Sequence, residues 1–300
     1  MVPARHGAAS PAGRDLMEPS VVYVAGMPRS GSTLLGRLLA DRFEVQFAGE
    51  LLHLDALCAP AERCGCGVHL ATCSYWAGVR ERLLHEDPGT VRTELRGLAT
   101  RFPRTPIQGG HAAELLADVV GLLAAANPRP IVDTSKVPSL GMAHREAVPR
   151  GQVHVVHLLR DPSAVIASIA HRPLRKREQD DPKARLRTFP PLSVGLRWRH
   201  HNRLARELRH SSNSYLQVHL EDLVRDPDTV LAEIADQASL LPRAGEPPLD
   251  HSLRGNPSRF DPLRLDPGRV GRAQSTSNHA VSRLVALAGR TWGYPVIEPR

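Results

Sequence analysis

Short apolar runs alternate along the chain with longer stretches in which apolar residues recur every three or four positions. The apolar runs predict buried β-strands over Ser20–Ala25, Pro130–Val132, Val153–Leu159 and Tyr215–Leu220. The longer stretches predict helices over Ser32–Asp41, Ala112–Ala126, Pro162–His171, Leu192–His210, Pro227–Leu240 and Asn278–Arg290. Strands that alternate with helices favour an α/β fold with a parallel central sheet flanked by helices. Ligands of such a sheet bind at the carboxyl ends of its strands.

The composition is that of a globular protein with a packed core. The chain has 300 residues, of which 41% are hydrophobic and 23% are charged. We expect a disordered leader over residues 1–19 and a single domain over residues 20–300. No apolar stretch approaches the roughly 20 residues of a membrane span. These features predict a cytoplasmic protein without a membrane span.

The charge is strongly basic, with a formal net charge of +8, and nearly all of the basic residues are arginine. Such a bias is typical of GC-rich coding, in which case the charge is that of a solvated surface. We favour that interpretation; the alternative is that the charge serves an anionic ligand or partner. The aromatic content of 4% argues against a platform that stacks nucleic-acid bases, so no nucleic-acid partner is expected.

The first strand leads into a loop that is nearly a nucleotide-triphosphate loop, "AGMPRSGSTLLG". Gly26 and Gly31 keep the glycine spacing and Thr33 holds the hydroxyl position, but Ser32 replaces the lysine that reaches a γ-phosphate. The glycines let successive amides point at an anion, and the start of the next helix adds its positive end. With Arg29 nearby, the loop predicts a phosphate site that works without that lysine and without a metal.

A second strand-to-helix unit, "VVHLLRDPSAVIASIAHR", places Arg160 just past a strand. Ser168 follows eight residues later, and Arg172 lies one helical turn beyond it. These three side chains either clamp a second phosphate or form a solvated arginine face. The charged stretch that follows, residues 172–191, is either a solvated loop or a mobile lid.

Together, in this order, "PRSGSTLL" and "RDPSAVIAS" resemble the paired phosphate segments of the sulfotransferases that use 3′-phosphoadenosine 5′-phosphosulfate (PAPS). The similarity is greatest to bacterial members and to the tyrosylprotein branch. It extends over about residues 20 to 295, with "IVDTSK", "GNPSRF" and "WGYP" as weaker supports. The resemblance implies a P-loop-like sulfotransferase fold and an enzyme that moves a sulfuryl group from PAPS to a hydroxyl of a small molecule, glycan or peptide.

The resemblance also implies roles for individual residues. The PAPS-binding residues would be Arg29, Ser30, Gly31, Ser32 and Thr33 around the 5′-phosphate, and Arg160, Ser168 and Arg172 around the 3′-phosphate. The catalytic residues would be Glu50 as the base, with Arg29 and Lys136 neutralising charge on the sulfuryl and leaving oxygens. His53 is the rival base. The sequence departs from the family at "HLEDL", where Leu220, preceded by His219, replaces a tyrosine near the adenine.

Four cysteines, Cys58, Cys64, Cys66 and Cys73, fall within sixteen residues. Free thiols, zinc ligands and a disulfide are the three interpretations. A cytoplasmic protein disfavours the disulfide, and the C-x-C step is tighter than the usual C-x₂₋₄-C ligand pair. We therefore expect free thiols, and we expect no metal in catalysis.

Two other functions fit parts of the sequence. A small-molecule kinase would use the first loop, but it requires the missing lysine and Mg²⁺. A non-enzymatic module that binds polyanions would need only the basic charge, and its binding would weaken steeply with salt.

Overall fold

The computed structural model describes residues 18–58, 62–100, 110–148, 151–170, 191–265 and 289–293. Its centre is a five-stranded parallel sheet with the strand order β2-β3-β1-β4-β5. The strands are β1 (Ser20–Ala25), β2 (Gln46–Gly49), β3 (Ile131–Lys136), β4 (Gln152–Leu159) and β5 (Ser214–His219). The predicted α/β class, with helices flanking a parallel sheet, is confirmed.

The helices connect successive strands and cover both faces of the sheet. Over the described ranges they are α1 (Ser32–Arg42), α2 (Ala77–Leu83), α3 (Pro88–Thr100), α4 (His111–Ala126), α5 (Pro138–Ala147), α6 (Pro162–Ala170), α7 (Pro191–Glu207), α8 (Leu220–Arg225) and α9 (Pro227–Ala238). Short 3₁₀ turns lie at Leu51–Cys58, Leu70–Thr72, Ser74–Trp76, Leu208–His210 and Pro257–Phe260.

The central strand β1 is buried on both faces, which explains why it is an unbroken apolar run. Val21 and Tyr23 point into a core formed with α4 and α5. Val22 and Val24 point into the opposite core, formed with α1 and α9. The alternation of side chains along a strand thus divides one apolar segment between two layers of helices.

The sequence predicts the central elements better than the edges. The bounds of β1 are as predicted, whereas β3 extends to Lys136, because its polar residues are buried and hydrogen-bonded rather than solvated. The four-residue edge strand β2 is absent from the prediction, since a run so short has no readable period. Leu220 begins α8 rather than ending β5, which corrects the predicted strand Tyr215–Leu220.

Several predictions lie largely outside the described residues. They are the leader over 1–19, of which residues 18 and 19 are described, the segment 172–191, and the helix Asn278–Arg290, of which residues 289 and 290 are helical. The single-domain assignment stays a prediction. Within the described ranges, no helix combines the length and the apolar character that crossing a membrane requires.

Helix α1 packs closely on β2 through a glycine. A Cβ atom at Gly36 would lie 2.3 Å from Phe47 Cε2 and 2.7 Å from Phe47 Cζ. We expect Gly36→Ala to lower the free energy of unfolding by about 1–3 kcal/mol, the usual cost of overpacking a core. Urea denaturation at equilibrium measures the change.

The matched control is Gly121→Ala in α4, where an added Cβ meets nothing within 4 Å. Alanine is the better helix former, so this variant should gain about 0.5–1 kcal/mol. Equal effects of the two substitutions would contradict the close contact between α1 and β2.

Candidate active site

The loop between β1 and α1 has a backbone that two glycines make possible. Gly26 has φ +147°, and a Cβ there would lie 2.4 Å from the carbonyl oxygen of Leu158. Gly31 has φ +95°, and a Cβ there would lie 2.6 Å from Leu220 Cδ1. Leu220, which replaces the family's tyrosine, therefore packs against the loop and helps to fix its shape. Arg29 also adopts a positive φ of 77°, which non-glycine residues rarely do.

The start of α1 offers several hydrogen-bond donors to an anion. Gly31 is its N-cap without a side-chain cap, and the first turn has no acidic residue, so the first amides and the positive end of the helix dipole face the loop. The hydroxyl of Ser30 is 1% exposed and lacks a hydrogen-bond partner among the described residues. Ser32 and Thr33 are buried beside it, and Thr33 Oγ1 accepts a hydrogen bond from the amide of Asn256 at 3.2 Å.

The two predicted phosphate segments meet in space. Arg29 Nε donates to Ser168 Oγ at 2.9 Å, and Arg160 Nη1 donates to the carbonyl of Arg29 at 2.9 Å. Trp198 Nε1 in turn donates to the carbonyl of Arg160 at 3.0 Å. Arg172, the third residue predicted for the second phosphate, lies outside the described residues.

The helix that carries Ser168 is capped by its own carboxylate. Asp161 Oδ1 accepts hydrogen bonds from the amides of Ser163 at 2.8 Å and Ala164 at 3.1 Å. The first amides of α6 are therefore hydrogen-bonded to a side chain, whereas the start of α1 has no such cap. An anion at this second segment would depend on the side chains of Arg160 and Ser168 rather than on helix amides.

Glu50 and Lys136 form a buried ion pair next to the first loop. Lys136 Nζ donates to Glu50 Oε1 at 2.6 Å and to the carbonyl of Thr134 at 2.8 Å. His53 Nε2 lies 3.4 Å from the other carboxylate oxygen of Glu50. Glu50, Lys136 and His53, three predicted site residues, thus form one cluster.

This cluster holds Glu50 in its ionised form. Burial by itself raises the pKa of Glu50, but the charge of Lys136 and the contacts with Lys136 and His53 outweigh burial and lower the pKa to about 2. In this arrangement the carboxylate is a weak base, and its proton affinity depends on where the Lys136 ammonium lies.

The backbone of Lys136 connects the ion pair to the loop. Lys136 ends β3 with φ 72°, a positive value that is uncommon for a residue with a side chain. Its carbonyl accepts hydrogen bonds from the amide of Gly26 at 3.2 Å and from His201 Nε2 at 3.3 Å. Lys136 therefore contacts both parts of the site: its carbonyl binds Gly26, the first residue of the loop, and its ammonium binds Glu50.

A buried polar network positions the segment that carries Glu50. Asp133 Oδ1 accepts from the amide of Leu51 at 3.3 Å, and Ser135 Oγ accepts from the amide of Leu52 at 3.0 Å. Asp133 Oδ2 contacts His144 Nε2 at 2.7 Å, with both side chains fully buried. These residues were not among the predicted site residues. Their signal was the row of polar residues in "IVDTSK" within a strand that the sheet buries on both faces.

A cavity of about 310 Å³ opens beside Glu50. Its lining residues are Glu50, His53, Glu62, Arg254, Gly255, Pro257, Arg259 and Phe260. Another cavity, of about 350 Å³, is lined by residues such as Gln46, Tyr75 and Arg129 and by none from the phosphate loop. We assign the candidate acceptor site to the first cavity, because Glu50 and His53, the two candidate bases, line it.

Comparison with known proteins identifies the family. Residues 19–238 match the family model described as the sulfotransferase domain, and the chain belongs to this family. Among solved structures, it is similar to the sulfotransferase domain of the olefin synthase from Synechococcus PCC 7002, with 25% identity, a TM-score of 0.57 and coverage of 94% of this chain and 98% of that one.

It also shares its fold with the sulfotransferase domain from the curacin biosynthetic pathway, with 18% identity, a TM-score of 0.56 and coverage of 93% of this chain and 99% of that one. No curated protein matches the chain. The predicted sulfotransferase family and its P-loop-like fold are therefore confirmed.

The pKa of Glu50 couples its ionisation to the stability of the fold. Its folded pKa of about 2 lies below the ordinary value of 4.5, so the stability that the carboxylate contributes is complete above about pH 4.5 and is lost as the pH falls toward 2. At neutral pH, Glu50→Gln leaves the Lys136 ammonium buried without its partner. We expect that to lower the free energy of unfolding by about 3 kcal/mol.

Because a protonated glutamate resembles glutamine, the stabilities of the wild type and of Glu50→Gln should converge as the pH is lowered from about 4.5 toward 2. Melting temperatures measured across this range provide the comparison. Glu233→Gln, at an exposed position in α9, is the control and should show no such convergence. A difference for Glu50→Gln that does not change with pH would contradict the ion pair.

Proposed function

We propose that this sulfotransferase transfers the sulfuryl group of PAPS to the hydroxyl of an alcohol or phenol. The observation that carries the proposal is the connection made by Lys136, whose carbonyl binds the phosphate loop at Gly26 and whose ammonium binds Glu50. An anion site and a carboxylate base adjoin each other through one residue. That is the arrangement an in-line transfer from a phosphosulfate to an oxygen requires.

In this proposal, the 5′-phosphate lies against the start of α1. The loop amides and the hydroxyls of Ser30, Ser32 and Thr33 donate to its oxygens, with Gly31 providing the turn. Arg29 supplies the positive charge that a lysine supplies to nucleoside triphosphates. A sulfuryl donor has less charge to neutralise than a triphosphate, so the site needs no Mg²⁺.

The 3′-phosphate is assigned to Arg160 and Ser168, with Arg172 as a third contact. Support for this comes from the hydrogen bonds among Arg29, Arg160 and Ser168, which bring the two phosphate segments together. Guanidinium groups bind phosphate through paired donors, and two such segments side by side favour a ligand with phosphates on the 3′ and 5′ positions of one ribose.

The proposed chemistry is a single displacement. The acceptor oxygen forms a bond to sulfur while the bond between sulfur and the bridging 5′-phosphate oxygen breaks, and the acceptor proton goes to Glu50. The products are the sulfated acceptor and 3′-phosphoadenosine 5′-phosphate. Arg29 and Lys136 stabilise charge that develops on the sulfuryl and leaving oxygens.

The ion pair gives Lys136 a second role in this proposal. When Lys136 turns from Glu50 toward the transferring group, the carboxylate loses the contact that depresses its pKa, while its burial still raises it. Glu50 then becomes a stronger base at the moment when it must accept the proton. The Glu50 carboxylate is thus a weak base while Lys136 contacts it and a stronger base once Lys136 has turned away.

Ligand binding tests the proposed donor. We expect 3′-phosphoadenosine 5′-phosphate to raise the melting temperature of the full chain, with a gain of about 2.7 kcal/mol in stability at a hundred times its Kd. ATP with Mg²⁺, the ligand of the kinase alternative, should stabilise it far less. Stronger stabilisation by ATP with Mg²⁺ would contradict the proposal.

The same assay tests the assignment of the 3′-phosphate. Arg160→Ala should weaken binding of 3′-phosphoadenosine 5′-phosphate by about 1.5–3 kcal/mol, the scale of a charge-assisted hydrogen bond. Adenosine 5′-phosphosulfate, which lacks the 3′-phosphate, should bind almost unchanged. Arg225→Ala, at an exposed position in α8, is the control. Equal losses of affinity for both ligands would contradict the assignment and indicate that Arg160 only maintains the conformation of the loop.

A further inference from the structure

Three cysteines and a histidine from distant parts of the chain converge on one point. Sγ atoms of Cys64, Cys66 and Cys73 and a ring nitrogen of His251 all lie within 4.8 Å of one another. Cys73 Sγ is 3.6 Å from Cys64 Sγ and 3.9 Å from Cys66 Sγ. His251 Nδ1 is 3.4 Å from Cys73 Sγ and 3.7 Å from Cys64 Sγ.

These separations are those of ligands around a tetrahedral zinc ion. With Zn–S bonds of about 2.3 Å and a Zn–N bond of about 2.0–2.1 Å, tetrahedral angles set the S···S distance near 3.8 Å and the S···N distance near 3.6 Å. A disulfide, in contrast, requires about 2.05 Å between sulfurs, and the four cysteines are free. Three soft thiolates and one imidazole are a donor set that selects zinc among divalent ions.

Local structure explains how the tight C-x-C spacing supplies two ligands. The amide of Cys64 donates to the carbonyl of Val68 at 2.9 Å, and the amide of Gly67 donates to the carbonyl of Cys64 at 2.9 Å. Gly67 has φ +90°, which lets the chain reverse directly after Cys66. A 3₁₀ turn, in which the amide of Cys73 bonds to the carbonyl of His69 at 3.0 Å, returns the third thiol to the same place.

The histidine is held in position from two sides. Trp76 Nε1 donates to the carbonyl of His251 at 2.9 Å. The ring of Tyr75 stacks on the imidazole with an angle of 1° between the planes and 4.7 Å between the centroids. The ligand that comes from far along the chain is therefore oriented by residues next to Cys73, which reduces the conformational entropy that metal binding must offset.

The surrounding charges suit an anionic metal complex. Three thiolates and a neutral imidazole around Zn²⁺ leave one net negative charge. Arg80 Nη1 donates to the carbonyl of Cys73 at 2.6 Å, Arg63 Nη1 to that of Gly67 at 2.7 Å, and Arg259 Nη2 to that of Arg63 at 2.8 Å. Three guanidinium groups thus lie against the backbone that carries the ligands.

We propose that Cys64, Cys66, Cys73 and His251 bind a structural zinc ion. Four protein ligands complete the tetrahedron and leave no position for substrate, so the ion does not take part in the transfer itself. This inference departs from the expectation of free thiols. It is independent of the proposed sulfuryl transfer, because it rests on none of the residues assigned to PAPS or to the acceptor proton.

The zinc ion joins two segments that border the acceptor cavity. The segment that follows His251 pairs with the end of β2, where the amide of Leu253 donates to the carbonyl of Ala48 and the amide of Glu50 donates to the carbonyl of Leu253, both at 2.8 Å. The amide of Asn256, further along, donates to Thr33 Oγ1 in the first turn of α1 at 3.2 Å. The metal would therefore hold together two chain segments that line the acceptor cavity, without itself lining that cavity.

Metal analysis of the full-length protein, purified without added metal, tests this proposal. We expect about one zinc ion per chain. Cys73→Ser and His251→Ala should each reduce the zinc content to a small fraction of that value and lower the melting temperature. Cys58→Ser, a change at the exposed cysteine outside the cluster, is the matched control and should keep the zinc.

A second measurement uses the wild type, so it does not depend on whether the variants fold. Removing zinc from the wild type with a strong chelator should lower its melting temperature, and returning Zn²⁺ should restore it. Co²⁺ in place of zinc should show the thiolate-to-metal absorption and tetrahedral visible bands of a Cys₃His site. A wild-type protein that contains no zinc and is not stabilised by added Zn²⁺ would overturn the proposal. So would the loss of zinc on changing Cys58 alone.

Discussion

The hydrogen-bonded ion pair between Lys136 and Glu50 is the interaction on which the candidate active site depends. At 2.6 Å it joins the end of β3 to the segment after β2. The carbonyl of Lys136 then fixes Gly26, the first residue of the loop between β1 and α1. Neighbouring parallel strands bring these groups to one edge of the sheet, where ligands of α/β folds bind.

This arrangement has a cost to stability. A buried ion pair contributes little net stability over well-packed apolar side chains, and a positive φ at a residue such as Lys136 costs about 1–3 kcal/mol. The pairing of Lys136 with Ala25 of β1 and the hydrogen bonds that its carbonyl accepts from Gly26 and His201 hold the strained residue in place. Such strain is commonly found where a protein binds or transforms a ligand, and here it lies where the two halves of the site meet.

The sequence predicted best those features that depend on residues close together in the chain. The apolar run of β1 and the glycine spacing after it predicted the strand, the loop and the start of the next helix, because each depends on neighbouring residues. Contacts over long sequence distances were not predictable in this way. His251 meets cysteines more than 170 positions earlier, and Asp133 orients Glu50 through the amide of Leu51. The first depends on the pairing of Leu253 with Gly49 at the end of β2, and the second on β2 lying beside β3; no single segment encodes either.

The most direct test of the account is the rate of sulfuryl transfer by Glu50→Gln. Radiolabelled PAPS and an extract of the source cell as the supply of acceptor hydroxyls provide the assay. Removing the base while keeping its size should lower turnover by about 10² to 10⁴, with affinity for 3′-phosphoadenosine 5′-phosphate little changed. His53→Ala should retain most of the activity. If Glu50→Gln retains most activity and His53→Ala abolishes it, Glu50 is not the base and the histidine takes its place.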